Sequence, residues 1–592
     1  MNVECLKRRD ATSPGVHAGV GEENLIGTRC SGGVVPLAFE ERRRLCSARV
    51  FKEAHMRRAV VILLSLFIAA TGPLSHASGA HANGADTAQE RWWAHVKYLA
   101  DDSLEGRETG SVGHRKAADY VAEQFAKAGL EPAGDAGSYL QAVVFDSRRI
   151  VEERSKLALE RDGKLEPLAL GDDATIGMRV LPAPRVHAPL VFVGYGLTVP
   201  ESGHDDLAGL DLQGKVAVFF SGGPENIPGP LLAHYQTAGE RWAALKQAGA
   251  IGTMTIQNPR GQDIPWERSK LARLLPAMTI ADPAMNETSG QQISITVNPE
   301  RAATLFEGSG HSYADLLAAA TARRPLERFA LTKNLDAEVA FESKTVTSQN
   351  IVGLRPGTDR KLKAEYVVVS AHIDHLGIGE PINGDRIYNG AMDNASGIAT
   401  MIETAAALQK SKARLKRSVL FVAVTAEEKG LLGSRYFATR PTVPAQAIVA
   451  DLNTDMFQPH FPLKSLIVQG LDESDLGDDL RKLAGPLGIG VLADPEPERN
   501  SFVRSDQYSF IRQGIPSLSL KVGFTKDSPE HEIIKKWRKE RYHAPSDDLS
   551  QPVDLQAAVD FTRVYGKVVT EVANRAQRPK WKDASFFRRF GE

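Results

Sequence analysis

The sequence predicts an α/β fold, a mixed and mostly parallel sheet flanked by helices, interrupted by an inserted β-rich domain. Three observations lead there. After Asn350, short apolar runs of strand character alternate with segments of helical period. Between about Val151 and Val346 the texture is instead short β-like runs punctuated by Gly, Pro and Asp. Finally, four of the five residue clusters able to carry chemistry begin where a strand of the C-terminal part should end. At 592 residues the chain exceeds one ordinary domain. With 42% hydrophobic and 24% charged residues it has the make-up of a soluble protein with sizeable cores. The formal net charge of -1 offers no electrostatic argument for nucleic acid or anionic membranes.

In chain order, residues 1–55 carry no sustained periodicity and hold all three cysteines, Cys5, Cys30 and Cys46. Residues 56–80 read as a secretory signal peptide. Met56-Arg57-Arg58 gives the basic start, Ala59 to Ala70 the apolar run, and Ser75-His76-Ala77 the small-x-small exit. The run is short for a bilayer, so no stable membrane anchor is expected. Met56 is then the expected initiator and 1–55 a non-native or disordered extension; a genuine cytosolic extension is the alternative. Export from Met56 leaves a mature chain without cysteine, excluding disulfides, thiolate metal sites and a cysteine nucleophile together. The destination is the periplasm or the extracellular medium.

Residues 86–150 open the catalytic domain with two amphipathic helices, one marked by Trp92, Val96 and Leu99, the next by Val121, Phe125 and Ala128. A glycine-punctuated loop, Leu104 to Gly110, lies between them. The insert, 151–346, offers strands at Leu190–Val193, Val216–Phe220 and Ile251–Ile256 and a helix over Ala238–Ala248, without clustered histidines and carboxylates. The core, 347–578, offers strands at Tyr366–Ala371, Val419–Thr425, Ala447–Leu452, Leu466–Gln469 and Ser517–Lys521. A helix spans Ser396–Gln409, capped by Ser396 or Asn394. A tail, 579–592, follows.

The five clusters are His372-Ile373-Asp374-His375, Met392 to Gly397 with Asp393, Glu427-Glu428, Asp455, and Tyr542-His543. In open α/β sheets ligands collect outside the carboxyl ends of the strands, where clusters distant in sequence converge. Two histidines and three carboxylates suit a pair of zinc ions sharing one bridging carboxylate, and a further carboxylate supplies a general base. Singly each cluster is weak: H-x-D is common, Glu-Glu at a helix start complements the dipole, and an Asp after a strand is a turn residue. Their ordered conjunction is the signal.

That conjunction resembles the co-catalytic di-zinc aminopeptidases, among the leucyl-type and glutamate-carboxypeptidase-like zinc exopeptidases, and most of all members with a protease-associated domain inserted before the metal core. Gly194-Tyr195-Gly196, Gly214-Lys215-Val216 and Asn350 to Gly353 share in the likeness. The resemblance implies a phosphorylase/hydrolase-like fold, two Zn2+ ions and peptide substrates with a free N-terminus. It implies that His372, Asp393 and Asp455 hold one zinc, that Asp393, Glu428 and His543 hold the other, and that the Asp393–Asn394 peptide is cis. It makes Asp374 the hydrogen-bond partner that fixes the His372 tautomer, Glu427 the general base, and Tyr542 and Arg504 the residues steadying the intermediate or substrate. Gln507 stands where many relatives have histidine. Three readings stay open beside it: a glutaminyl cyclase with one zinc, a carboxypeptidase, and a receptor-like relative without catalysis. Side-chain preference and oligomeric state are not implied.

Overall fold

The computed structural model describes residues 87–592 apart from Gln262. The expected extension, signal peptide and cysteines lie outside the described residues. No helix among the described residues is long and apolar enough to cross a membrane.

Ala88–Leu99 is a helix because Thr87 and Glu90 close a reciprocal capping box and Trp92, Val96 and Leu99 bury one face. Val112–Lys127 follows, capped by Ser111. The chain then builds a ten-stranded sheet. Its strands are β1 (Leu140–Ile150), β2 (Ala277–Ile280), β3 (Phe341–Arg355), β4 (Tyr366–His372), β5 (Ser418–Val424), β6 (Ile448–Asn453), β7 (Ser465–Gln469), β8 (Gly490–Leu492) and β9 (Ser517–Val522). They lie in the order β2-β1-β3-β5-β4-β6-β9-β7-β8, with Glu131–Pro132 added on β3. The centre, β5-β4-β6-β9, is parallel. β1, β2 and β3 extend it antiparallel on one side.

Both faces of the centre are dry, which accounts for the unbroken apolar runs. Val419, Phe421 and Ala423 pack with the helices on one side, including Ser396–Lys410 and Leu555–Asn574. Leu420, Val422 and Val424 pack with Phe437 and Phe510 on the other. Because the central strands are parallel, the ends of β4, β5 and β6 open on one edge of the sheet. Those ends carry His372, Thr425 to Glu428 and Asp455.

The segment 151–346 forms a separate eight-stranded sheet, with Arg185–Phe192, Val216–Phe220, Gly252–Ile256 and Ile293–Val297 at its middle. Ala277–Ile280 departs from it: these residues leave the insert's sheet and pair with β1, so Met278 and Ile280 pack against Val143 and Phe145. Neither expected residue is the N-cap of Ser396–Lys410, which is Ala395; Asn394, one residue earlier, still accepts the Gly397 amide at 3.0 Å through its side-chain oxygen, because the backbone already runs helically through Ala395 into the helix.

Candidate metal centre

The end of β4 delivers His372, 1% exposed, with its Nδ1 3.1 Å from the backbone carbonyl of Asp374. The carboxylate of Asp374 does not take that role. It lies 4.0 Å from Nδ1 and instead accepts the amides of Glu427 and Glu428 at 3.1 and 3.4 Å and the Thr109 hydroxyl at 3.1 Å. The reason is steric: two residues beyond His372 the chain turns, so the carbonyl faces the imidazole and the side chain faces the turn after β5. That carbonyl, rather than the expected carboxylate, orients the ring and leaves Nε2 facing the site.

Asp393 sits in a loop with a cis peptide between it and Asn394. Asp547 holds this loop by accepting the amides of Met392 and Asp393 at 2.9 and 3.0 Å. Gly390 precedes it at φ +61, and a Cβ there would fall 2.2 Å from the Asp393 carbonyl; only glycine fits. The buried guanidinium of Arg107 donates to the carbonyls of Leu99, Ile373, Asn389 and Gly390, fastening the Leu104–Gly110 loop under the centre. Ala426, Met456 and His543 all adopt left-handed φ, unusual for residues with a side chain. Each flanks or is a site residue, as backbone at functional sites often does.

His372 Nε2 lies 3.1 Å from Asp393 Oδ1 and 3.4 Å from Asp455 Oδ1. His543 Nε2 lies 3.2 Å from Glu428 Oε2 and 3.4 Å from Asp393 Oδ2. Ligand atoms about 2.1 Å from one ion at tetrahedral angles stand about 3.4 Å apart, so the spacing is that of atoms sharing an ion. Asp393 belongs to both groups, one oxygen turned to each. His375, quoted in the first cluster but given no part, also converges: its Nδ1 is 2.7 Å from Glu428 Oε1 and 3.9 Å from Asp393 Oδ2. Despite the 2.7 Å contact, neither His375 nitrogen nor Glu428 Oε1 is hydrogen-bonded. Buried polar atoms left this way suit a cation. Two candidate metal clusters result, His372/Asp393/Asp455 and His375/Asp393/Glu428, with His543 facing the second.

The field is strongly negative. Burial lowers His543, yet Glu428 and Asp393 outweigh it and raise it to about 10. His372 likewise stands well above the usual imidazole range, against burial, through Glu427, Asp393 and Asp455. Burial pushes the Glu427 carboxyl well above the usual range, with Glu428 and Asp455 adding to this against the pull of His372. Glu428 goes the other way, because His543 and His375 overcome its burial. Their surroundings thus shift these adjacent glutamates in opposite directions.

Tyr542 and Arg504 line a cleft of about 720 Å3 together with Glu427, Glu428 and His543. Arg504 is tied at 3.3 Å to Asp263, and burial followed by Asp393 holds the Tyr542 hydroxyl protonated. The insert contributes to the same cleft through Arg179, whose guanidinium donates to the Glu428 carbonyl at 2.8 Å, and through Thr237 to Gly239. Sequence reasoning passed over His375, Asp547 and Arg179. His375 adjoins Asp374 and Asp547 follows His543 by four positions, whereas Arg179 lies 249 positions from its partner Glu428 and gave no signal.

Residues 350–569 match the model of Peptidase family M28. Aminopeptidase YwaD of Bacillus subtilis is 28% identical over 258 residues, 42% of this chain and 50% of that protein. A probable leucine aminopeptidase 2 of Aspergillus fumigatus is 30% identical over 205 residues, 33% of this chain and 36% of the other. The chain thus spans half or less of the length of these curated relatives. Among solved structures, an aminopeptidase from Aneurinibacillus sp. strain AM-1 aligns with a TM-score of 0.50 at 19% identity, over 83% of this chain and 95% of that one. The likeness is one of fold.

Proposed function

With residues 350–569 matching Peptidase family M28, we propose that the protein is an exported zinc aminopeptidase that removes N-terminal residues from peptides. Its insert is read as a protease-associated domain. The observation that supports this best is the spacing of ligand atoms around Asp393, 3.1 to 3.4 Å from His372 and His543, beside a half-buried glutamate, Glu427, that belongs to neither candidate cluster. His372, Asp393 and Asp455 would hold one ion, and Asp393, Glu428 and His543 the other. Zinc bound there supplies Lewis-acid polarisation of a carbonyl and acidifies water.

The chain's own groups do the rest. Glu427 takes the proton of the attacking water at its carboxylate and returns it to the departing amine. Tyr542, held neutral, donates its hydroxyl to the oxygen that gains charge in the tetrahedral intermediate, and Arg504 lends positive potential from the cleft wall. Asp374 and Asp547 keep the backbones of Glu427 and Asp393 still while this happens.

Metal analysis of the purified protein, combined with hydrolysis of N-blocked, C-blocked and free peptides, tests the reading. Two zinc per chain and cleavage confined to free N-termini are expected. Release of pyroglutamyl product, or cleavage that needs a free carboxylate but not a free amine, overturns it.

A further inference from the structure

The insert's central sheet is apolar on one face, and on the other an apolar patch of Val191, Ala217 and Phe219 gives way to hydroxyl side chains. Phe219, Thr255, Thr296 and Thr175 stand directly opposite one another across four neighbouring strands, and Thr253 pairs with Ser294 one row below. This hydroxyl-bearing face lines a cavity of about 410 Å3 whose other walls come from the helix Ala238–Gln247, the segment 266–277 and, from the catalytic core, Leu376, Glu428 and Lys429. Volumes of this order suit small ligands. Arg179, Ala238 and Glu428 line both this cavity and the 720 Å3 cleft holding Glu427 and Tyr542. The two spaces therefore adjoin at a metal-binding residue.

The cavity is lined by five cationic side chains. Three are matched by acids: Lys270 by Asp172 and Glu267, Arg273 by Glu152, and Lys429 by Glu108. Arg241 and Arg179 are not; among the described residues neither has a carboxylate within ion-pair distance. Arg241 lies over the Phe219 ring at 4.6 Å and spends one nitrogen on the Gln236 carbonyl. Its Nε and Nη2 are buried and have no hydrogen-bond partner. Desolvation lowers its pKa to about 10 against the more distant pull of Asp206, which makes no ion pair with it. A buried guanidinium with two idle donors is costly unless an anion meets it. The only acid on the cavity wall, Glu428, is turned to His375 and His543.

We propose that this cavity is a carboxylate subsite: Arg241, assisted by Arg179, binds a carboxylate on the downstream part of a short peptide whose N-terminal residue lies at the metal centre. The assignment deepens the aminopeptidase reading and rests on it. The carboxylate is either the peptide's C-terminus or an acidic side chain, and the cavity's limited volume restricts the substrate to a few residues.

Trialanine, trialanine amide and Ala-Ala-Glu amide separate these sources. In the wild type, kcat/KM for a carboxylate-bearing peptide should exceed that for trialanine amide about tenfold or more, expressed mainly in KM, as expected for a charge-assisted hydrogen bond. Arg241→Gln should bring the ratio close to one, and Arg241→Lys should restore part of it. Preference for trialanine alone assigns the C-terminus; preference for Ala-Ala-Glu amide alone assigns the side chain. Binding is read independently of turnover through Trp242 and Trp266, which line the cavity. Acetyl-trialanine should saturate a change in tryptophan fluorescence that acetyl-trialanine amide does not produce. If catalysis proves to be of another kind, this binding difference still decides the subsite. Equal rates for trialanine, trialanine amide and Ala-Ala-Glu amide in the wild type, or a preference unchanged in Arg241→Gln, overturn the proposal.

Discussion

The carboxylate of Asp374 accepts the backbone amide of Glu427 at 3.1 Å, so the residue between His372 and His375 acts on the main chain of the proposed general base. Asp374→Ala removes an acceptor shared by Glu427, Glu428 and Thr109. Loss of such supporting partners costs about 10- to 100-fold in metal affinity or activity. The imidazole of His372 keeps its carbonyl partner, so metal at the first cluster should persist while kcat falls. Separate determination of zinc content and kcat checks this; loss of the His372 ion with normal geometry at Glu427 would reverse the assignment.

Glu427→Gln preserves shape and cannot accept a proton. Both zinc ions should remain, substrate should bind nearly as before, and the rate should drop about 10²- to 10⁴-fold. Glu428→Gln should weaken the second ion and recover activity partly in excess zinc. Metal analysis beside kcat for the two variants distinguishes them.

His543→Ala should reduce zinc from two equivalents to one, and Asp393→Ala should remove both. His375→Ala supplies a finer test: its Nδ1 is 2.7 Å from Glu428, so the second ion should bind more weakly and the first unchanged. Equilibrium dialysis against zinc buffers gives the separate affinities. Unchanged second-site affinity in His375→Ala would leave that imidazole a packing role.

Acid should destabilise the fold through neutral buried histidines. Burial depresses His114 to about 3 and His234 to about 4. Nε2 of His114 meets the Thr425 hydroxyl at 2.9 Å and Nδ1 of His234 meets the Tyr508 hydroxyl at 2.6 Å. A folded-state pKa below the unfolded value of about 6.5 means the unfolded chain binds the proton first. Stability is complete above pH 6.5 and declines as the pH falls toward 4, by about 1–2 kcal/mol per histidine at pH 5. Thermal midpoints between pH 7.5 and 5 should fall, and less steeply for His234→Gln.

Expressed from Met56, the protein should be exported and trimmed near Ala77. N-terminal sequencing of exported protein checks this, and a mature form that retains Cys46 excludes the start at Met56.

The parallel centre of the sheet was legible because its signal is local. Val367 to Ala371 and Val419 to Val424 are continuous apolar runs, and each ends on a polar residue that the edge of a parallel sheet gathers into one place. His372, Glu428 and Asp455 lie at or just past such ends, whereas Asp393 and His543 are named through the family resemblance, and the structure brings the nitrogens and carboxylate oxygens of all five together. Contacts that depend on backbone direction could not be read. H-x-D does not say whether the carbonyl or the carboxylate of Asp374 meets His372. The approach of Arg179 to Glu428 and the idle donors of Arg241 are properties of two sheets meeting, and periodicity within either sheet carries no trace of them.

The pairing of Ala277–Ile280 with β1 bears on how this architecture can be altered. The chain leaves the main sheet after Ile150, returns for four residues, departs again and re-enters at Phe341. The insert is therefore not a cassette clipped into one loop but a thread that supplies the border of its host. Excising 151–340 would strip β1 of its outer neighbour and leave a row of unsatisfied amides and carbonyls facing water, an invitation to self-association. A shortened version would need that four-residue border retained, or a new margin designed in its place.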